Sequence, residues 1–251
     1  MTSLSIVKSP FTLYVIDNSP TNVLKVHFTS IKNIRYIHNP KNPGFGVSHN
    51  IALKFSIKDM IPYHFVINPD VYFKEDVITS MVRYIQEHDD IGMMMPQILN
   101  NDGTIQYLPK LLPSPYSLIM RKLKHPNSIY TSFINEYELR KIPSDMIYEA
   151  PVLSGCFTLF NVKALKEIGI YDDRFFMYFE DWDISRRMNQ KYKTIYFPSV
   201  SVYHAYEAGA NKEIKLLKIF LNSARNYFNK WGWFFDRERK KINKKTLMQF
   251  Q

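Results

Sequence analysis

Apolar and polar positions in the first hundred residues alternate between two periods. Phe11–Ile16 (FTLYVI) is a short apolar run rich in β-formers and predicts a buried strand. It ends in Asp17-Asn18-Ser19-Pro20, a turn signal that also suits a helix cap. Ile34–His38 predicts a second strand, followed by the breaker-rich loop Asn39–Gly46 (NPKNPGFG). Ser48–Ile57 reads as a helix with Ser48 as its N-cap. Tyr63–Ile67 (YHFVI) predicts a third strand, stopped by Asn68-Pro69-Asp70. Over Lys74–Glu87, Val77, Ile78, Met81, Val82 and Ile85 recur at helical spacing, and Ile91–Met95 is a strand closed by Pro96. Strands alternating with helices at this spacing predict an α/β domain: a mixed, mostly parallel sheet flanked by helices.

The alternation breaks over residues 100–150, where Pro109, Pro113, Pro115, Pro126 and Pro143 mark an excursion or lid. It resumes with a strand over Val152–Asn161 and a short helix over Val162–Ile168. An aromatic loop then leads into a helix over Asp181–Lys191, with strands at Thr194–Phe197 and Val200–Tyr203. These elements place one domain over residues 1–205. Residues 206–251 form a C-terminal extension: an amphipathic helix over Glu213–Lys230, then Trp231, Trp233, Phe234, Phe235 and the basic run Arg237–Lys245.

Composition narrows the class. With 251 residues and 45% apolar side chains, the chain can build one sizeable core. A single cysteine, Cys156, excludes an intrachain disulfide and a cysteine-based zinc site. No apolar run reaches the roughly 18 residues of a membrane span, and no signal peptide is expected at the N-terminus. The net charge of +10 is concentrated: residues 212–247 carry 11 Lys and Arg against 3 Asp and Glu, a surplus of 8. A basic, aromatic segment suits an anionic membrane surface; a core-packing helix with a solvated tail is the alternative. Nothing resembling a helix-turn-helix, zinc finger or aromatic RNA platform accompanies the charge, so nucleic acid is not an expected partner.

Four groups of residues carry candidate chemistry. Asp70 projects from the mouth of an apolar strand, where ligands of open α/β sheets bind; it could hold a divalent ion against a diphosphate, or merely cap a turn. Phe175–Asp183 (FFMYFEDWD) sets three acids against aromatics, surroundings that raise a carboxylate pKa toward that of a working base. Acids at a helix start are also favoured by its dipole, and Asp183 with Arg187 has the spacing of a helix-face ion pair. Gly44, Phe45 and Gly46 precede a helix bearing His49 and Asn50, allowing close backbone approach to an anion or simply forming a loop. His204 closes a strand as a metal or phosphate ligand, or as a structural histidine.

In combination, IDNS, NPGFGVSHN, INPD, LSGCFTLF, GIYDDRFFMYFEDWDISRR and His204 resemble family 2 glycosyltransferases, specifically the bacterial rhamnosyltransferase-like branch. The resemblance covers about residues 11–205. It implies a GT-A fold, although the usual first strand has no counterpart here: Met1–Pro10 matches the helix that follows it. It implies Asp17 near the base or ribose of a nucleotide, with Asn18, Gly44, Phe45, Gly46, Asn50, Asn68 and Asp70 on the donor side. Asp181 is implied as the base of an inverting transfer. Ser154, Gly155, Glu180 and Trp182 fall on the acceptor side, and Asp70 with His204 at Mg²⁺ or Mn²⁺. Implied partners are a dTDP- or UDP-sugar donor, with rhamnose the first candidate sugar, a lipid-linked or polysaccharide acceptor, and a second copy of the chain. The expected place is cytoplasmic, peripheral on the inner face of a bacterial membrane. A second reading makes the chain a non-catalytic, membrane-associated remnant or partner subunit that has lost donor binding.

Overall fold

A computed structural model describes residues 2–28, 31–205 and 214–251. In chain order the elements are β1 (Leu13–Asp17), β2 (Ile34–His38), α1 (Phe45–Lys58), β3 (Tyr63–Ile67), β4 (Val71–Tyr72), α2 (Val77–Gln86), β5 (Ile91–Leu99), α3 (Pro115–Leu123), α4 (Asn127–Tyr137), β6 (Tyr148–Glu149), β7 (Phe157–Asn161), α5 (Val162–Ile168), α6 (Glu180–Asn189), β8 (Lys193–His204), α7 (Ile214–Trp231) and α8 (Arg237–Leu247).

Six strands form the main sheet in the order β3-β7-β5-β8-β4, with β6 added to β8. The strands β3, β5 and β8 run in one direction, and β7 lies antiparallel between β3 and β5. The central strand β5 is apolar on both faces, with Ile91, Met93, Met94, Met95 and Ile98 all buried. That is the pattern of a strand covered by helices on both sides. On α2, Val77, Ile78, Met81 and Ile85 are buried, and Asp76 caps the helix by accepting from the Thr79 amide at 3.0 Å.

The proline expected to end a strand does not. Pro96 lies inside β5, and β8 is one strand where two were expected. Pro96 pairs with Phe197, after which the register jumps to Gln97 opposite Ser201. Pro198 falls in the extra residues of that irregularity. Proline lacks an amide to donate, so it is tolerated where ladder bonds are already interrupted. Ser48 is not the N-cap of α1. The helix begins at Phe45 after Gly44, and the Ser48 hydroxyl donates back to the Gly44 carbonyl at 2.7 Å.

The parallel pair β1–β2 forms a separate two-stranded sheet. Helix α1 spans both sheets: Phe55 stacks on Tyr14 of β1, and Ser56 shares a hydrogen bond of 2.7 Å with His64 of β3. The second edges of β1 and β3 have no ladder partner among the described residues.

The C-terminal region is built into the fold. Ala224, Tyr227 and Phe228 of α7 join Phe175 and Phe179 in a second apolar cluster. The basic run read as a tail forms α8, capped by Asp236. Asn243 of α8 exchanges hydrogen bonds of 2.8 and 3.0 Å with the Leu112 backbone. The expected helix start at Glu213 and the domain boundary at 206 lie outside the described residues.

Candidate active site

The strand expected over Val152–Asn161 is extended only from Phe157. Residues 153–156 instead form an irregular link between the two halves of the site. The Gly155 amide donates to Asp181 Oδ2 at 3.3 Å, and the carbonyl of the next residue, Cys156, accepts from the Asn68 amide at 2.8 Å. Asn68 and Asp70 share the turn that ends β3, where the Val71 amide returns to the Asn68 carbonyl at 3.2 Å. Two adjacent residues thus join the carboxylate on α6 to the turn carrying Asp70. The buried Cys156 thiol, pushed up to about 12 by burial, lies within electrostatic reach of both acids.

Asp181 is aimed by its backbone. Tyr178 and Phe179 both take left-handed conformations, φ 69° and 68°, immediately before Glu180 opens α6. Non-glycine residues adopt that region at a cost, so their succession marks a turn held by its surroundings. Phe179 is held in the second apolar cluster, packed on Trp182 and Tyr227. Burial raises the Asp181 carboxyl to about 6, opposed by the amides of Gly155 and Trp182. Its neighbour Glu180 is pushed well above the usual carboxylate range by burial and then by Asp181. Glu180 Oε2 has no hydrogen-bond partner among the described residues. Burial thus raises both adjacent acids, Glu180 more than Asp181.

The glycine loop meets the same place. Gly44 has φ 104°, and a Cβ there would fall 2.1 Å from the Phe176 carbonyl oxygen. That oxygen accepts from the Phe45 amide at 2.8 Å, binding the loop to the aromatic segment before Asp181. A Cβ on Gly155 would lie 3.2 Å from Phe45 and 3.5 Å from Asp181 Cβ. Gly44, Phe45, Gly155 and Asp181 therefore converge, and Trp182 packs beside them on Phe179. The Ser154 amide faces Met95 Sδ, and its carbonyl accepts from Thr158 at 2.7 Å.

Asp17 sits at the end of β1. It accepts from the Ser19 amide and from the Tyr36 hydroxyl, whose hydrogen bond is the main force holding its carboxyl below the usual range. Asn18 ties this end of β1 to α1 through the Ser48 hydroxyl at 2.9 Å. Asn50 does different work from that expected of a donor ligand. Its amide donates to the Tyr171 carbonyl at 2.8 Å and accepts from the Tyr171 amide at 3.0 Å, pinning the loop after α5. Gly46 lies against the ring of the same Tyr171. Asn50 and Tyr171 also line a cavity of about 530 Å³ with Lys54, Asp172 and Lys230; Asp17, Asp70 and Asp181 lie outside its lining.

Asp70 and His204 come together as expected, with Oδ2 and Nε2 3.4 Å apart, because Val71 pairs with His204 across β4 and β8. His204 is buried, which lowers its pKa and favours the neutral ring. Its Nδ1 lies 3.3 Å from Gln106 Oε1, and its Nε2 faces Asp70. The Asp70 side chain is 44% exposed and open to a ligand. Among the described residues no group of three or more His, Cys, Asp or Glu could hold a metal. One carboxylate and one imidazole fit a divalent ion that draws its remaining oxygens from a diphosphate and water.

Some neighbours of the site carried no clear sequence signal. Lys110, from the excursion, is buried 3.4 Å from Glu138, and burial lowers its amine to about 8. Arg121 of α3 spans from Glu138 to the face of Trp182, 6.0 Å from the ring centre. Asp183 is fully buried and binds Arg187, Lys230 and the Trp231 indole at 2.9, 2.7 and 2.8 Å. The expected helix-face pair is therefore one part of a larger structural node.

The sequence profile of Glycosyl transferase family 2 matches residues 4–169. The chain is 24% identical to N-acetylglucosaminyl-diphospho-decaprenol L-rhamnosyltransferase of Mycobacterium tuberculosis over 218 residues, covering 81% of this chain and 70% of that protein. It is 23% identical to rhamnosyltransferase WbbL of Escherichia coli over 202 residues, covering 78% and 72%. Among solved structures, GalNAc-T7 with UDP, GalNAc and Mn²⁺ superposes with a TM-score of 0.61 at 14% identity, over 95% of this chain and 45% of that one. TarS 1-349 of S. aureus with UDP gives 0.53 at 14% identity, over 98% and 65%. The chain spans less than two thirds of each of these solved chains. These likenesses, with the sheet described above, make the fold GT-A.

Proposed function

We propose that this chain, which belongs to glycosyl transferase family 2 and resembles its rhamnosyltransferases, is an inverting transferase. It moves a sugar, rhamnose being the first candidate, from a dTDP- or UDP-linked donor to a lipid-linked or polysaccharide acceptor. The work belongs to surface-polysaccharide synthesis at the inner face of a membrane. One observation supports the reading: adjacent residues Gly155 and Cys156 bond to Asp181 and to the turn that carries Asp70, respectively.

In this reading the nucleotide lies along the ends of β1 and β3, near Asp17 and Asn68. Asp70 and His204 would hold Mg²⁺ or Mn²⁺, which supplies positive charge to the departing diphosphate when bound. Asp181 accepts the proton of an acceptor hydroxyl. The hydroxyl oxygen attacks the anomeric carbon as the bond to the diphosphate oxygen breaks, and that electron pair leaves with the diphosphate. A single displacement inverts the anomeric centre. A base near 6 is ionised at neutral pH yet still basic enough to take the proton. Phe45, Phe179 and Trp182 keep the site partly dry, which raises that pKa.

Titration calorimetry with UDP and dTDP, with and without Mn²⁺, tests donor binding directly. Metal-dependent binding is expected. Its absence would favour the non-catalytic reading, which the split between β1–β2 and the main sheet supports.

A further inference from the structure

Two exposed apolar features adjoin at α3 and at the loop between α7 and α8. On α3, Tyr116, Ile119 and Leu123 recur at the spacing of one helix side, each more than half exposed. The opposite side of the helix is anchored: Ser117 and Met120 are buried, and Leu118 packs on the cluster of Phe175, Phe179 and Phe228. The second feature is the loop between α7 and α8, where Phe234 is 70% and Phe235 98% exposed. Arg239 joins the two, donating to the Pro113 carbonyl ahead of α3 at 3.3 Å and to the Phe234 carbonyl at 3.5 Å.

Charge identifies the occupant. Residues 103–135 and 214–235 contain no Asp or Glu; of their eight Lys and Arg, Lys110 is buried against Glu138 and Lys230 is paired with Asp172 and Asp183, which leaves six. Lys122 and Lys124 flank Leu123 at the end of α3, and Lys240 and Lys241 follow Arg239 in α8. Apolar side chains on a mainly cationic ground suit anionic lipid: the cations meet headgroups while the apolar groups enter the acyl boundary. Among the described residues no helix is long and apolar enough to cross a membrane, so this contact would be interfacial.

We infer that the α3 stripe and the Phe234–Phe235 loop form one membrane-docking surface that inserts into the interface of an anionic bilayer. Arg121, on the same helix, reaches the face of Trp182 beside Asp181. Docking through α3 therefore brings the acceptor side of the cleft to the lipid surface. The inference rests on the reading of the chain as a transferase acting on a lipid-linked acceptor.

Flotation of the full chain with vesicles of phosphatidylglycerol and phosphatidylcholine, against phosphatidylcholine alone, tests it. The chain should float with the anionic vesicles. Ile119→Ser with Leu123→Ser, and separately Phe234→Ser with Phe235→Ser, should each weaken partitioning about tenfold or more without changing the melting temperature. No flotation of the wild type, or undiminished flotation of both paired variants, would overturn the inference. So would a wild-type dimer that both variants convert to monomers, since the surface would then bind a second copy. Titration with UDP and Mn²⁺ in vesicle-free solution keeps the functional reading separate: a chain that binds UDP but no vesicle loses only the docking surface.

Discussion

Arg186 and Asp236 form a buried two-point ion pair, Nη1 to Oδ2 at 2.7 Å and Nη2 to Oδ1 at 2.8 Å. It fastens the C-terminal region to the helix that bears Asp181. Glu238 adds a contact at 2.9 Å, and the guanidinium lies over the Trp231 ring at 4.3 Å. Asp236→Ala would strip the guanidinium of its two-point partner and remove the cap of α8. Losing one member of a buried pair costs about 3–5 kcal/mol. Urea unfolding should show a loss of that order, and replacing both partners with apolar residues should cost less than the sum of the single changes.

Asp181→Asn separates catalysis from stability. Removing a general base slows turnover about 10²–10⁴-fold. In the wild type, kcat/KM should rise as pH passes through about 6, where Asp181 ionises. The stability effect has the opposite sense. A carboxyl raised from 3.8 to about 6 holds its proton more tightly in the folded state, so its contribution is complete below 3.8 and is lost as pH climbs through 6. The Asn variant should therefore melt above the wild type at pH 8, with the gap closing toward pH 4. A pH series of melting curves checks both the sign and the range.

Asp70→Asn should remove the carboxylate from the expected diphosphate side. Affinity for UDP measured with Mn²⁺ should fall about tenfold or more, while affinity measured with EDTA should be unchanged. His204→Ala should act in the same direction. Calorimetric titration distinguishes this from a general loss of the nucleotide pocket, which would weaken both.

Gly44→Ala should damage the joint between the glycine loop and the aromatic segment. The added Cβ meets the Phe176 carbonyl oxygen at 2.1 Å, at a backbone φ of 104° that side chains resist. Conformational strain alone is about 1–3 kcal/mol, and the clash adds to it. Thermal unfolding should show a large loss of stability, with quenching experiments reporting greater exposure of Trp182.

The sequence exposed the elements whose burial pattern is local. Ile34–His38, Tyr63–Ile67 and Val162–Ile168 have the observed limits, because each is a compact apolar run between breakers. Pro96, and the break expected between Phe197 and Val200, misled because both fall at a register irregularity between β5 and β8, more than a hundred residues apart, and no local pattern records it. At the site, Asp70 beside His204 and Asp181 beside Gly155 followed from family motifs. Asn50 was harder: an amide at a helix start looks like a ligand for an anion, and only the fold brings Tyr171 to both of its polar atoms. Arg186 and Asp236 are 50 residues apart, and charge alone gave no reason to pair them. One trace was present, since Asp236 is the first acid after the acid-free stretch 214–235.

The separation of β1–β2 from the main sheet gives the end proposed to hold the nucleotide its own mechanics. Two strands alone bury little apolar surface, and this pair reaches the body of the protein through α1, by way of Tyr14 on Phe55 and Asn18 on Ser48. Amides of Val15 and Tyr36 should exchange with solvent deuterium well before those of Met94 in β5. A nucleotide bound there, as proposed, would act as a brace, and adding it should slow exchange in β1 and β2 more than anywhere else among the described residues.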